Sequence, residues 1–155
     1  MIPIEKGLNP LEIEFVLLDF EGTLAINRRV HPKAKDKINL LSKRTNIYVL
    51  TTQKKELIEE RLRKVKAEII YLAEGDSSKG KLDLLRQLGP TGCVAIGNGM
   101  DDAAMIQEAG IGICVIGKEG SSGEAMKNAD LVFTDILDAL DFLLKPLRQK
   151  ATLGL

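Results

Sequence analysis

The chain has 155 residues, 45% of them hydrophobic, and 22 basic against 22 acidic side chains. That is the size of one globular domain over residues 1–155, with no net charge to favour nucleic acid or an anionic membrane. With 4% aromatic residues and no Trp, a base-stacking platform is also disfavoured.

Residues 1–10 carry Gly7, Asn9 and two prolines and read as an irregular or weakly paired arm. They lack the charged-then-apolar pattern of a leader, and no stretch reaches the ~20 apolar residues of a membrane span. A cytoplasmic protein is therefore expected. Residues 14–19 form the first strand, an apolar run that reads as buried on both faces. His31-Pro32 opens a helix to residue 44, with Pro32 in its first turn, and His31, the only histidine, reads as a loop residue. A second buried strand spans 46–51. Leu57, Ile58, Leu62 and Val65 set the inner stripe of a charged helix over 54–66. A third strand covers 68–72, and Asp76-Ser77-Ser78 caps a helix running to Leu88. A fourth strand (92–96) leads through Gly97-Asn-Gly-Met-Asp-Asp102 into a helix ending at Glu108. A fifth (112–116) precedes a short helix ending at Asn128. A sixth (131–133) is followed by a closing helix over 136–147. Cys93 and Cys114 fall in strands and are too few for a disulfide framework, so both read as core. The alternation predicts an α/β fold: a doubly wound three-layer sandwich around a mostly parallel sheet.

In such a sheet the carboxyl ends of the strands share one edge, where ligands bind. Asp19 ends the first strand, Thr51 and Thr52 end the second, and Asn98, Asp101 and Asp102 follow the fourth. Lys79 and Lys81 begin the helix before the fourth. Each has a plain reading by itself: a turn residue, a helix cap, a solvated lysine, first-turn acids favoured by the helix dipole. Together they supply what phosphoryl transfer needs. Asp19 would be the nucleophile, and a hydroxyl and a lysine would hold the phosphate oxygens. Mg²⁺ would offset the repulsion between two anions, held by one or two carboxylates, an amide oxygen and a carbonyl.

Asp19-Phe-Glu-Gly-Thr-Leu24, Thr51, Lys81-Leu-Asp-Leu-Leu-Arg-Gln-Leu88 and Gly97-Asn-Gly-Met-Asp-Asp-Ala-Ala104 resemble, in order, the four motifs of the haloacid dehalogenase (HAD) superfamily. The similarity runs from residue 15 to 144 and is closest to the small soluble group resembling the phosphorylation domain of P-type ATPases. It implies a HAD-like, Rossmannoid fold and a Mg²⁺-dependent phosphohydrolase working through an aspartyl-phosphate, on a phosphorylated substrate the sequence does not specify. Asp19 would be nucleophile and metal ligand, the Glu21 carbonyl a second ligand and Asn98 a third, with Asp102 in direct or water-mediated contact. Gly22, Thr51 and Thr52 would surround the phosphate. Lys81 matches the motif in one branch of the superfamily and Lys79 in another. Two departures stand out: Glu21 replaces the usual acid/base Asp, and Asn98 replaces an Asp and removes a charge that Asp101 or Asp102 would have to restore. They keep a second reading open, a weakly active or non-catalytic phosphate- or metal-binding regulator. Residues 23–51 and 52–79 are too short for a cap or a nucleotide domain, so the site should be open and ATP-driven transport is excluded. Capless members often assemble, which leaves a homo-oligomer open.

Overall fold

The computed structural model describes residues 1–155. In chain order the strands are β1 (Ile2–Lys6), β2 (Asn9–Ile13), β3 (Phe15–Asp19), β4 (Ala25–Ile26), β5 (Arg29–Val30), β6 (Asn46–Thr51), β7 (Glu68–Tyr71), β8 (Cys93–Gly97), β9 (Ile111–Val115) and β10 (Leu131–Phe133). The helices are α1 (Pro32–Leu41), α2 (Lys55–Arg61), α3 (Ser77–Leu88), α4 (Ala103–Glu108), α5 (Gly123–Asn128), α6 (Ile136–Leu144) and α7 (Pro146–Leu153).

Six strands form one sheet in the order β10-β9-β8-β3-β6-β7, every neighbouring pair parallel. β3 is central, and its side chains alternate between two buried layers. Val16 and Leu18 join Val49, Ile96 and Ile113 beneath Ile38 of α1, Ile58 of α2 and Leu140 of α6. Leu17 joins Leu50, Ala95 and Cys114 beneath Leu85 of α3, Met105 of α4 and Ala125 of α5. Burial on both faces explains why β3 shows no polar alternation. The connection β3–α1–β6 builds the sheet to one side, and β7–α3–β8 carries it back across β3. The order therefore reverses at β3, and a crevice opens beyond the carboxyl ends of β3 and β8. Asp19 ends β3 at that crevice.

Three segments differ from expectation. Residues 1–10 are not an irregular arm: β1 and β2 pair antiparallel with Ile2 opposite Ile13 and Ile4 opposite Leu11, and all four side chains are buried. Pro3 and Pro10 mask this alternation, yet a two-stranded ribbon tolerates proline wherever its N–H would face outward. The span 23–51 holds a small β4–β5 hairpin as well as α1. Its two-residue turn, Asn27-Arg28, has φ of 52° and 62°, the left-handed pair that suits strand twist. The closing helix stops at Leu144 because Pro146 cannot continue it; Lys145 is extended, and α7 starts afresh at Pro146. No helix is long and apolar enough to cross a membrane.

Candidate active site

Asp19 is 3% exposed. Its Oδ1 accepts a hydrogen bond from Lys81 Nζ at 2.9 Å, and the same ammonium donates to Asp101 Oδ2 at 2.9 Å and Asp102 Oδ1 at 2.8 Å. All three ammonium protons are thus used. Three carboxyl groups share one ammonium. Lys81 reaches this point because it lies one turn before the buried Leu85 on the inner stripe of α3. Ser77, at the start of the same helix, donates from Oγ to Asp101 Oδ2 at 2.8 Å and ties α3 to the turn after β8.

That turn is built around Asp102, which is fully buried. Its Oδ2 accepts from the backbone N–H of Asn98 and Gly99, each at 3.0 Å. Gly97 must be glycine here, since a Cβ would run into the Asp102 carboxyl group. Asn98 Nδ2 donates to the Gly120 carbonyl at 3.2 Å, which turns Oδ1 towards Asp19. The Thr23 hydroxyl lies between them, 3.1 Å from Asn98 Oδ1 and 3.2 Å from Asp19 Oδ2. Gly22 has φ of 76°, and a Cβ there would meet Asn98 Nδ2 at 2.6 Å; both conformation and space demand glycine. Across the crevice the Thr51 hydroxyl donates to Glu21 Oε1 at 2.7 Å and accepts from the Gln53 N–H at 3.0 Å.

Burial, reinforced by the Asp102 charge, pushes the Asp19 carboxyl well above the ordinary carboxylate range, against the pull of Lys81. Burial would lower the Lys81 ammonium, but Asp19 and then Asp102 reverse that and hold it above an ordinary lysine. For Asp101 burial again opposes ionisation, and the hydrogen bonds from Lys81 and Ser77 outweigh it, so its carboxyl lies below the usual value. Away from the site, burial pushes the Cys93 thiol up to about 12, consistent with an inert core residue.

No group of three or more His, Cys, Asp or Glu side chains forms a metal cluster. The oxygens brought together are instead a carboxylate oxygen of Asp19 and the amide oxygen of Asn98, which share the Thr23 hydroxyl. The single Thr23 proton serves only one of these two oxygens at a time, so the other lacks a donor. A hard cation that keeps most of its waters fits such a sparse, all-oxygen set. Asp102 has both oxygens engaged, by Lys81 and by the backbone, and is built as a support for the turn.

No protein-family model matches the chain. It is 42% identical over 82 residues to uncharacterized protein MJ0073 of Methanocaldococcus jannaschii, covering 50% of this chain and 88% of that protein. The chain belongs to that protein's family. Among solved structures it resembles the 3-deoxy-D-manno-octulosonate 8-phosphate phosphatase of Moraxella catarrhalis, in complex with magnesium, phosphate and KDO. The TM-score is 0.72 at 17% identity, over 86% of this chain and 87% of that one. The cobalt-bound phosphatase of the same name from Haemophilus influenzae gives 0.71 at 17% identity, over 91% of each chain. At such identities the likeness is one of fold, the three-layer α/β fold of these phosphatases.

Of the residues singled out from sequence, Asp19, Lys81, Asn98, Asp101 and Asp102 are joined by hydrogen bonds through Lys81 and Thr23, Gly22 packs against Asn98, and Glu21 pairs with Thr51. Lys79 stands apart from them. Its ammonium pairs with Asp83 at 2.9 Å on the outer face of α3, with 79% of its side chain exposed, so Lys81 is the lysine at the site. Thr52 is half-buried beside Thr51. His31 caps α1, its Nδ1 accepting from the Lys33 N–H at 3.0 Å. Sequence reasoning assigned no role to Thr23, although it sits in the first motif, and took Ser77 only as part of a cap.

Proposed function

We propose that the chain is a Mg²⁺-dependent phosphohydrolase acting through an aspartyl-phosphate on Asp19, related to the small soluble P-type-ATPase-like group of the HAD superfamily. The observation that carries this reading is Asp19 at the end of the central strand, salt-bridged to Lys81 and sharing the Thr23 hydroxyl with Asn98 Oδ1. The phosphatases of like fold, one bound to magnesium and phosphate, support it.

In this reading an Asp19 carboxylate oxygen attacks phosphorus and the ester P–O bond breaks, leaving an acyl phosphate. The leaving oxygen takes a proton from the Glu21 carboxylic acid. Glu21, now a carboxylate, then accepts a proton from water as the water oxygen attacks phosphorus and releases Asp19 and inorganic phosphate. Lys81 works against the burial that disfavours the Asp19 carboxylate, and the Thr51 hydroxyl turns from Glu21 to a phosphate oxygen. Asp19, Asn98 and the Glu21 carbonyl would hold Mg²⁺, which supplies positive charge between the carboxylate and the phosphate. The same reading makes the protein cytoplasmic and leaves its oligomeric state to be measured.

Hydrolysis of p-nitrophenyl phosphate with Mg²⁺ tests this. Turnover should disappear with EDTA and with Asp19→Asn, while circular dichroism stays native. An Asp19→Asn chain as active as the wild type overturns the mechanism. One specific observation favours the regulatory alternative: Glu21 is engaged by Thr51 and so is not free to meet a leaving group. A silent wild type with an active Glu21→Asp variant would establish a phosphatase scaffold disabled at its acid.

A further inference from the structure

Beside Asp19 lies a cleft of about 770 Å³, far larger than a phosphate group requires and within the range of small-molecule sites. Thr23, whose hydroxyl is 3.2 Å from Asp19 Oδ2, is among its lining residues, so the cleft adjoins the crevice across that one residue. The β4–β5 hairpin forms one wall, with Ile26 and Arg29, and the loop after β9 forms another, with Lys118. The two walls meet without a gap: a Cβ on Gly117 would lie 3.7 Å from both the Gly22 carbonyl and Ile26 Cδ1. Mostly buried apolar side chains such as Leu24 and Val115 make the floor.

The charges of this cleft are one-sided. Arg29 and Lys118 take part in no ion pair. The one carboxylate in the lining, Asp135, caps α6, its Oδ1 accepting from the Leu137 N–H at 2.8 Å, and offsets one of these two cations. The Asp19 end holds three carboxyl groups around one ammonium, and the cleft lining holds two cations against one carboxylate. Cations left unpaired over a low-dielectric floor attract an anion of matching reach.

Resting on the phosphohydrolase reading, we propose that this cleft receives the leaving group of the phosphate monoester and that Arg29 and Lys118 select one bearing a second anionic group. The selecting chemistry is an anion at the far end of a small organic phosphate, either a carboxylate or a second phosphate. The cleft volume accommodates a leaving group of several carbons between the two.

The test is calorimetric titration of the Asp19→Asn chain with Mg²⁺ at low salt, using matched ligands that differ in the second anion. 3-Phosphoglycerate against glycerol 3-phosphate probes a carboxylate, and fructose 1,6-bisphosphate against fructose 6-phosphate probes a second phosphate. At least one pair should show about tenfold tighter binding of its more anionic member. That ratio should fall towards one when Arg29→Ala and Lys118→Ala are added, and shrink as salt is raised. Equal affinities within both pairs, or a ratio that survives the double substitution, overturn the proposal. If Asp19→Asn does not fold, wild-type chain titrated in EDTA reports the same ratios. A wild type that keeps the ratio but turns over none of the four esters with Mg²⁺ sinks the phosphohydrolase reading and leaves the selectivity of the cleft standing.

Discussion

The Thr51 hydroxyl donates to Glu21 Oε1 at 2.7 Å across the crevice. The extra methylene of Glu21, compared with Asp, gives the carboxylate this reach. It also joins two groups that the proposed chemistry uses separately, one for proton transfer and one for a phosphate oxygen.

Glu21→Gln keeps an acceptor for Thr51 but cannot transfer a proton. A positioned acid contributes on the order of 10²- to 10⁴-fold, and a nitrophenolate leaves without needing one. The variant should therefore lose about 100-fold or more in kcat/KM, which reports only the steps up to the aspartyl-phosphate, on an alkyl phosphate and much less on p-nitrophenyl phosphate. Steady-state kinetics with both esters decides it. Equal losses on the two would remove Glu21 from the acid role.

Lys81 is the counter-charge of three carboxylates and is 2% exposed. Removing one partner of a buried ion pair costs about 3–5 kcal/mol because the remaining charge has no compensation. Lys81→Met should lose stability on this scale in urea melts. Mg²⁺ should then raise its melting temperature by more than that of the wild type, since a cation can occupy the same excess of negative charge. A variant as stable as the wild type would mean that the carboxylates are protonated or solvated without Lys81.

Far from the site, Lys37 of α1 and Asp141 of α6 meet at 2.6 Å with side chains 23% and 18% exposed. The hydrogen bond from Lys37 holds the Asp141 carboxyl below its usual value, against a smaller effect of burial. A depressed carboxyl stabilises the fold above its unfolded pKa of about 4, and that stability is lost as pH falls through the folded value. Asp141→Asn should cost about 1 kcal/mol at pH 7, the upper end for a partly exposed pair. The gap to the wild type should narrow steadily below pH 4. Urea melts at pH 7 and pH 3 measure both, and a gap that does not change with pH would assign the loss to packing.

Much of this was legible in the chain because it is local. The unbroken apolar run of β3 required burial on both faces, and the alternation of strands and helices required a parallel sheet. A parallel sheet in turn puts Asp19, Thr51 and Asn98 at one edge. What was illegible depends on rotation or on long-range partners. Lys79 and Lys81 are both near the start of α3, two residues apart, and 3.6-residue periodicity sends them to nearly opposite faces. Only the packing of Leu85 against the sheet decides that Lys81 turns inward and Lys79 pairs with Asp83 in solvent. The β1–β2 ribbon was hidden because its prolines signal a break locally, while its four buried side chains become stable only once there is a core to cover. Asp102 is fully buried, and the partners that make this tolerable, the Lys81 ammonium and two backbone N–H groups, are ones that only the tertiary fold brings to it.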